Sequence, residues 1–268
     1  MVIYHYTSFQ VRCPPVFVRY ESFEQFIRYY PVVSILIAIR TILMLLSFLF
    51  PSLYEPVVHW GIGWNYGIAH GEYWRLITPI FLHGSFAHFA FNTFALFIFG
   101  PALERILGSF KFLAVYLFAG FLGNVGTFLF GEVAAYSFHL GASGAIYGLL
   151  GVYIYMKYFR QDLIDPASAQ MVTTMLIIGI IYTFLVPRIN ILGHLFGFIG
   201  GAISGPIIFK GRVKYFTMPD SYVSSDNDNE IRFDPQRWQK SRQRKKILKI
   251  IAIGILVLLI LLGLWEQL

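Results

Sequence analysis

"SFAHFAFNTFALFIFGPALERILG", residues 85–108, contains a run from Phe89 to Leu103 in which Asn92 and Thr93 are the polar side chains. Read as 84–103, it matches the roughly 20 mostly apolar residues that cross a bilayer as a helix. His88 and Asn92 lie four apart, so they share one helical face, one turn apart. Polar groups at membrane depth are costly. They either glue helices together through hydrogen bonds or mark a functional site. The apolar run decides the fold, and the polar pair raises the question of function.

Six further segments resemble this run: 31–50, 112–131, 143–159, 170–186, 189–209 and 247–265. The chain is 57% hydrophobic and 13% charged over 268 residues. That is about half the charge of an ordinary soluble domain, too little polar surface for one of this size. The expected fold is an all-α polytopic membrane bundle, six helices plus a seventh near the C-terminal end. The first 30 residues, with Arg12, Arg19 and Arg28 among aromatics, show no secretory h-region.

Charge gives an orientation. With a cytoplasmic N-terminus and alternating spans, three basic residues precede the first span. Two lie between the second and third, two between the fourth and fifth, and eleven around the connection from sixth to seventh. These are 18 of the 21 Lys and Arg, a strong positive-inside bias. The +7 net charge is thus a topology signal. The basic run "RWQKSRQRKK" (237–246) directly precedes an apolar segment, which favours anionic lipid over nucleic acid. Cys13 is the single cysteine, so no intrachain disulfide is available.

The expected organisation is a cytoplasmic leader (1–30), a six-helix membrane domain (31–210), a cytoplasmic linker (211–246) and a seventh span with an outer tail (247–268). Residues 51–83 are too long for a plain turn. They carry Trp60, Trp64, Tyr66, Tyr73 and Trp74, rings favoured at headgroup depth, and read as a semi-embedded outer loop.

Ser143 opens the fourth span within "HLGASGAIYG" (139–148). Its small neighbours permit close helix packing, so the motif alone is weak. It is not the G-x-S-x-G elbow of soluble hydrolases, because Ala145 stands at the last glycine position and no strand is expected before it. A base would change its meaning. "GHLFGFIGG" (193–201) places His194 near the outer end of the sixth span, at a depth similar to Ser143. Gly193, Gly197 and Gly201 recur every four residues and form one smooth face.

A hydroxyl becomes a nucleophile when a base takes its proton, and His194 can be that base. Acyl transfer also needs donors for the developing oxyanion, and His88, Asn92 and the Ser143 N–H can supply them. No Asp or Glu lies in the outer halves of these spans, so the inferred unit is a Ser–His dyad. There is no H-E-x-x-H for zinc and no pair of membrane aspartates. His83 and His88, five apart, do not share a helical face well, which argues against a metal site. No cofactor is implied.

In order along the chain, "EYWRLITPIFLH" (72–83), "HFAFN" (88–92), "GPALERILG" (100–108), "GASGAIYG" (141–148) and "GHLFGFIGG" (193–201) resemble the rhomboid intramembrane serine proteases. The resemblance covers roughly 72–201. It implies Ser143 as nucleophile and His194 as general base, with His88, Asn92 and Gly141 at the oxyanion and substrate site. It implies that Tyr147 stacks on the histidine, that Trp74 and Arg75 hold the outer loop, and that Glu104 and Arg105 form a structural pair. The implied partners are transmembrane protein substrates in the lipid bilayer, cut near their outer ends, and no nucleic acid. No oligomeric state is implied. The implied location is the cell membrane. The alternative is a catalytically inactive relative that binds membrane segments. Arg40, in the middle of the first span, departs from the pattern. It can pair with a backbone carbonyl, pair with a polar group of the bundle, or snorkel.

Overall fold

The computed structural model describes residues 15–134, 137–187 and 189–210. The linker, the seventh span, Cys13 and Arg188 lie outside the described residues.

A short helix α1 (Phe23–Tyr29) starts at a capping box, in which Ser22 and Gln25 satisfy each other's backbone N–H groups. Proline at the first helical position then opens α2 (Pro31–Leu49) and α3 (Pro51–Gly61). A two-residue strand β1 (Gly63–Trp64), the small helix α4 (Asn65–Ala69) and two 3₁₀ turns at 73–76 and 78–81 complete the connection to α5. The chain then runs through α5 (Phe86–Leu107), α6 (Ser109–Phe130), strand β2 (Phe138–His139), α7 (Ser143–Phe159), α8 (Pro166–Leu185) and α9 (Ile191–Ile208). The two strands pair antiparallel, Gly63 opposite His139 and Trp64 opposite Phe138. They tie the 51–83 loop to the segment that leads into Ser143, so a two-residue strand precedes that serine where none was expected.

Among the described residues, five helices (α2, α5, α6, α8 and α9) are long and apolar enough to cross a bilayer. With α7 they give the all-α polytopic architecture. α7 has 17 residues and rises about 25 Å. It can be short because it is wrapped by its neighbours: Ala145, Leu149, Val152, Tyr153 and Met156 are fully buried. α2 buries one stripe, Val33, Leu36, Arg40 and Met44, and turns Ile35, Ile42 and Phe48 outward. Exposed apolar faces of this kind suit a lipid solvent.

Hydrogen bonds set the helix ends. α8 begins at Asp165, whose side chain accepts from the Ser168 N–H at 3.0 Å and from the Val16 N–H at 3.0 Å. The start of α2 is held by Glu104 of α5, which accepts from the Val32 and Val33 N–H groups, both at 2.9 Å. A carboxylate at a helix N-terminus satisfies orphan donors and the helix dipole together. Glu104 thus spends its charge on the α2 terminus, a partner beyond the Glu104–Arg105 pairing expected from sequence. Gly108, at φ +80°, makes the turn from α5 to α6 where a side chain would be strained.

Arg40 takes the second of its three options. It is 1% exposed and donates to the Tyr116 hydroxyl of α6. Its guanidinium also lies 5.6 Å from the Tyr116 ring centroid.

Candidate active site

The site is built on glycine. α7 and α9 meet backbone to backbone. A Cβ at Gly197 would overlap the Gly144 carbonyl, and one at Gly201 would overlap the Gly148 carbonyl. A Cβ at Gly144 would lie 3.1 Å from the Gly193 carbonyl oxygen. Only glycine permits this approach. Gly193 to Gly201 is therefore the packing face read from the sequence, and its partner is the Gly144–Gly148 face of α7. Ser143 precedes Gly144 and His194 follows Gly193, so the closest approach of the two helices brings both residues to one level. Ser143 is half-buried, and His194 is 7% exposed. Among the described residues, the Ser143 hydroxyl makes no hydrogen bond to His194. Such contacts commonly tighten only when substrate binds.

His194 is held on several sides. Asn190 caps α9, accepting from the Gly193 N–H at 2.9 Å. Asn190 is itself hydrogen-bonded to Thr127 of α6 at 2.9 Å. The Tyr147 ring, one turn along α7 from Ser143, stacks on the imidazole with centroids 4.2 Å apart and planes 13° apart. The Thr183 hydroxyl of α8 lies 2.8 Å from His194 Nδ1. Thr183 was not singled out in the sequence. A threonine in an apolar run reads as back-bonding to its own helix, and the only cue was Gly179 one turn earlier.

α5 brings His88 and Asn92 to the same end. Asn92 is buried, and its side-chain NH₂ donates to the His88 carbonyl at 2.8 Å. An amide NH₂ has two hydrogens, so one remains available. Gly141, at φ +129°, lies directly against His88, where a Cβ would overlap the ring. Its own N–H donates to the Pro79 carbonyl at 2.9 Å. Gly141 therefore makes room for His88, while its N–H is already committed.

His83 and His88, expected to face apart, meet in the structure. α5 begins at Phe86, so His83 is the last residue of the 51–83 loop and precedes the helix. It folds back until its ring meets His88 edge to face, centroids 5.1 Å apart. Burial, with His88 and Arg40 nearby, holds the His83 imidazole far below its ordinary range. Among the described residues, no three His, Cys, Asp or Glu side chains cluster as a metal site would require.

The 51–83 loop is pinned by its own side chains. Arg75 is buried and donates to the His59 and Ile62 carbonyls at 2.9 and 2.8 Å. It also pairs with Glu72. The Trp74 indole donates to the Trp60 carbonyl at 3.0 Å and stacks on that ring. Two asparagines that the sequence reading passed over finish the platform. Asn124 donates to the Leu76 carbonyl at 2.9 Å, and Asn65 to the Thr127 and Glu132 carbonyls at 3.1 and 3.0 Å.

These features define a polytopic integral membrane protein whose buried polar side chains converge at one end of a glycine-packed helical core. The chain belongs to the rhomboid family: the rhomboid domain matches residues 70–211. It is 46% identical over 189 residues to the Bacillus subtilis protein YdcA, provisionally named a rhomboid protease, covering 69% of this chain and 92% of that one. It is 41% identical over 147 residues to the rhomboid protease GluP of Bacillus subtilis, covering 55% of this chain and 28% of GluP. The rhomboid-like protease 1 of Toxoplasma gondii is 32% identical over 160 residues, 58% of this chain and 53% of that one.

Proposed function

We propose that this chain is an intramembrane serine protease that cuts transmembrane segments of membrane proteins near their outer ends, using Ser143 and His194. One observation carries the reading: the glycine contact between α7 and α9 sets a hydroxyl and a ring-stacked imidazole at the same level. The names of the relatives point the same way.

Ser143 Oγ attacks the scissile carbonyl while its proton passes to His194. The carbonyl electrons collect on oxygen, stabilised by the Ser143 N–H, the free Asn92 amide hydrogen and His88. Collapse expels the amine, which takes the proton from His194, and leaves an ester on Ser143. Water, deprotonated by His194, hydrolyses that ester. A helical substrate hides its carbonyls in i→i−4 bonds, so small or helix-breaking residues near the cut favour cleavage. The N-terminus is cytoplasmic and the site opens to the outer side of the cell membrane. The described residues on either side of Arg188, 186–187 and 189–190, flank the cap, and substrate enters from lipid past α8, which carries exposed Ile177, Ile181 and Phe184.

The test is cleavage of a model transmembrane substrate in liposomes. Ser143→Ala and His194→Ala each abolish it with the fold intact. The double variant is no worse, because the two act as a unit. Cleavage that survives either change overturns the assignment. A wild-type protein that binds such segments without cutting them is an inactive relative instead.

A further inference from the structure

Among the described residues, no carboxylate is hydrogen-bonded to His194, yet an imidazole that serves as a base must present a lone pair at Nε2 and hold its proton at Nδ1. We infer that Thr183 of α8 is the positioning residue that fixes this tautomer. The inference rests on the reading of His194 as the base.

The argument is a proton count around one oxygen. Thr183 Oγ1 has three close neighbours: the Gly179 carbonyl at 2.7 Å, the Tyr147 hydroxyl at 2.8 Å and His194 Nδ1 at 2.8 Å. A hydroxyl has one hydrogen and two lone pairs. The Gly179 carbonyl can only accept, and two oxygens 2.7 Å apart need a proton between them. That proton is Thr183's own. Both lone pairs of Thr183 are then left to accept, so the other two neighbours donate. Tyr147 gives its O–H, and His194 gives an Nδ1–H. Nε2 is left unprotonated and free for the Ser143 proton. During acylation the Ser143 proton moves to Nε2, the Nδ1–H stays in place on Thr183, and Thr183 keeps its hydrogen on Gly179.

The packing of α8 fits this role. Its buried residues are Ser168, Ala169, Val172 and Thr183, so Thr183 is the one buried side chain described in the outer half of that helix. Gly179 lets α8 approach, since a Cβ there would lie 2.7 Å from the Tyr147 hydroxyl. One glycine and one threonine, a turn apart, thus connect α8 to both the stacking ring and the base.

Two variants and one spectrum test the inference. Thr183→Val keeps the shape and removes the hydroxyl; Thr183→Ser keeps the hydroxyl. In reconstituted enzyme, Thr183→Val should lower kcat about tenfold to a hundredfold with KM unchanged. That is less than the roughly 10⁴-fold loss when a wrong tautomer is locked in place. Thr183→Ser should remain within a few-fold of wild type. Nitrogen-15 spectra of histidine-labelled protein, with the His194 signal assigned by its loss in His194→Gln, should show the Nδ1–H tautomer in wild type and in Thr183→Ser. In Thr183→Val the two tautomers should mix. A wild-type kcat in Thr183→Val, an equal loss in both variants, or an Nε2–H tautomer in wild type overturns the inference. The spectrum reads the Thr183 bond without catalysis, so it decides the matter even if Thr183→Val fails to fold. Cleavage surviving Ser143→Ala sinks the protease reading and leaves the tautomer result standing.

Discussion

Gly197→Ala is the sharpest probe of the helix contact. An ideal Cβ at Gly197 lies 2.9 Å from Gly144 Cα and 2.7 Å from the Gly144 carbonyl carbon. Carbon atoms rest about 3.5–4.0 Å apart, so α9 must move off α7 by about 1 Å. The obstacle is backbone, which cannot rotate away as a side chain can. Gly197 lies three residues from His194, and Gly144 directly follows Ser143, so the displacement falls on the proposed dyad itself. A misplacement of about 1 Å between reacting groups costs on the order of 10²-fold. The overpacking itself costs stability, typically about 1–3 kcal/mol. The assay is kcat for a transmembrane substrate in liposomes, measured well below the melting temperature of each variant. Gly200→Ala is the control. Its Cβ meets Leu122 Cδ1 at 3.1 Å and Ala119 Cα at 3.2 Å on the α6 side, so it should stay within a few-fold of wild type. Gly197→Ala turning over at the wild-type rate would refute the reasoning. So would an equal loss in both variants, since the effect would then not come from the α7–α9 contact.

If Asn92 serves the oxyanion as proposed, Asn92→Ala should lower kcat by roughly 10²–10³-fold with little change in KM, since its free amide hydrogen would be needed only as the oxyanion forms. A pure rise in KM would assign Asn92 to packing. Glu104→Ala should lower thermal stability by about 1–3 kcal/mol, because two N–H groups at the start of α2 lose their acceptor; kcat of the folded fraction should hold. His139 bears on pH. Burial pulls its imidazole down to about 4 in the folded protein, whereas an unfolded histidine titrates near 6.5. The unfolded chain therefore takes up a proton that the folded chain refuses, so stability is full above about pH 6.5 and falls as pH drops toward 4. Melting curves over that range should show the fall, and His139→Phe should flatten it; an unchanged slope would place the acid sensitivity elsewhere, with His83 the next candidate.

Much of the bundle was legible because a bilayer leaves a coarse record. Apolar runs located α2, α5, α6, α7, α8 and α9 to within a few residues. The errors lie where caps outrank hydropathy. α8 starts at Pro166, four residues before the apolar run suggests, because Asp165 caps it and Pro166 suits the first helical position. α5 continues to Leu107 since Glu104, although charged, finds the α2 terminus as a partner. The helix α3 was hidden, as Glu55 and Pro56 break any apolar pattern. Ser143, His194, His88 and Asn92 stood out by being polar where polarity is costly. Thr183, Asn124 and Asn190 did not, because their value depends on partners far along the chain.

That contrast bears on why the proposed base, His194, has a threonine at Nδ1. An aspartate behind His194 would have to be ionised to resemble the usual arrangement, and a carboxylate at membrane depth is expensive to desolvate. Arg40 apart, which lies buried in mid-span against the Tyr116 hydroxyl, several charges sit at helix ends and loops where they find partners. Glu104 lies on the α2 terminus, Arg75 pairs with Glu72, and Asp165 caps α8. Among the described residues, the polar groups near the proposed dyad include Tyr147, Thr183, Asn92, Asn190 and His88, and none of these is a carboxylate. A neutral hydroxyl that accepts from Nδ1–H orients the imidazole without a buried charge. It also supplies less stabilisation to the imidazolium than a carboxylate does. An engineered Thr183→Asp therefore separates the two demands. If orientation is what Thr183 contributes, the aspartate gains nothing in kcat and costs stability, and a variant that melts lower without turning over faster is the expected result. A faster enzyme would mean that charge behind His194, and not its tautomer, limits the reaction.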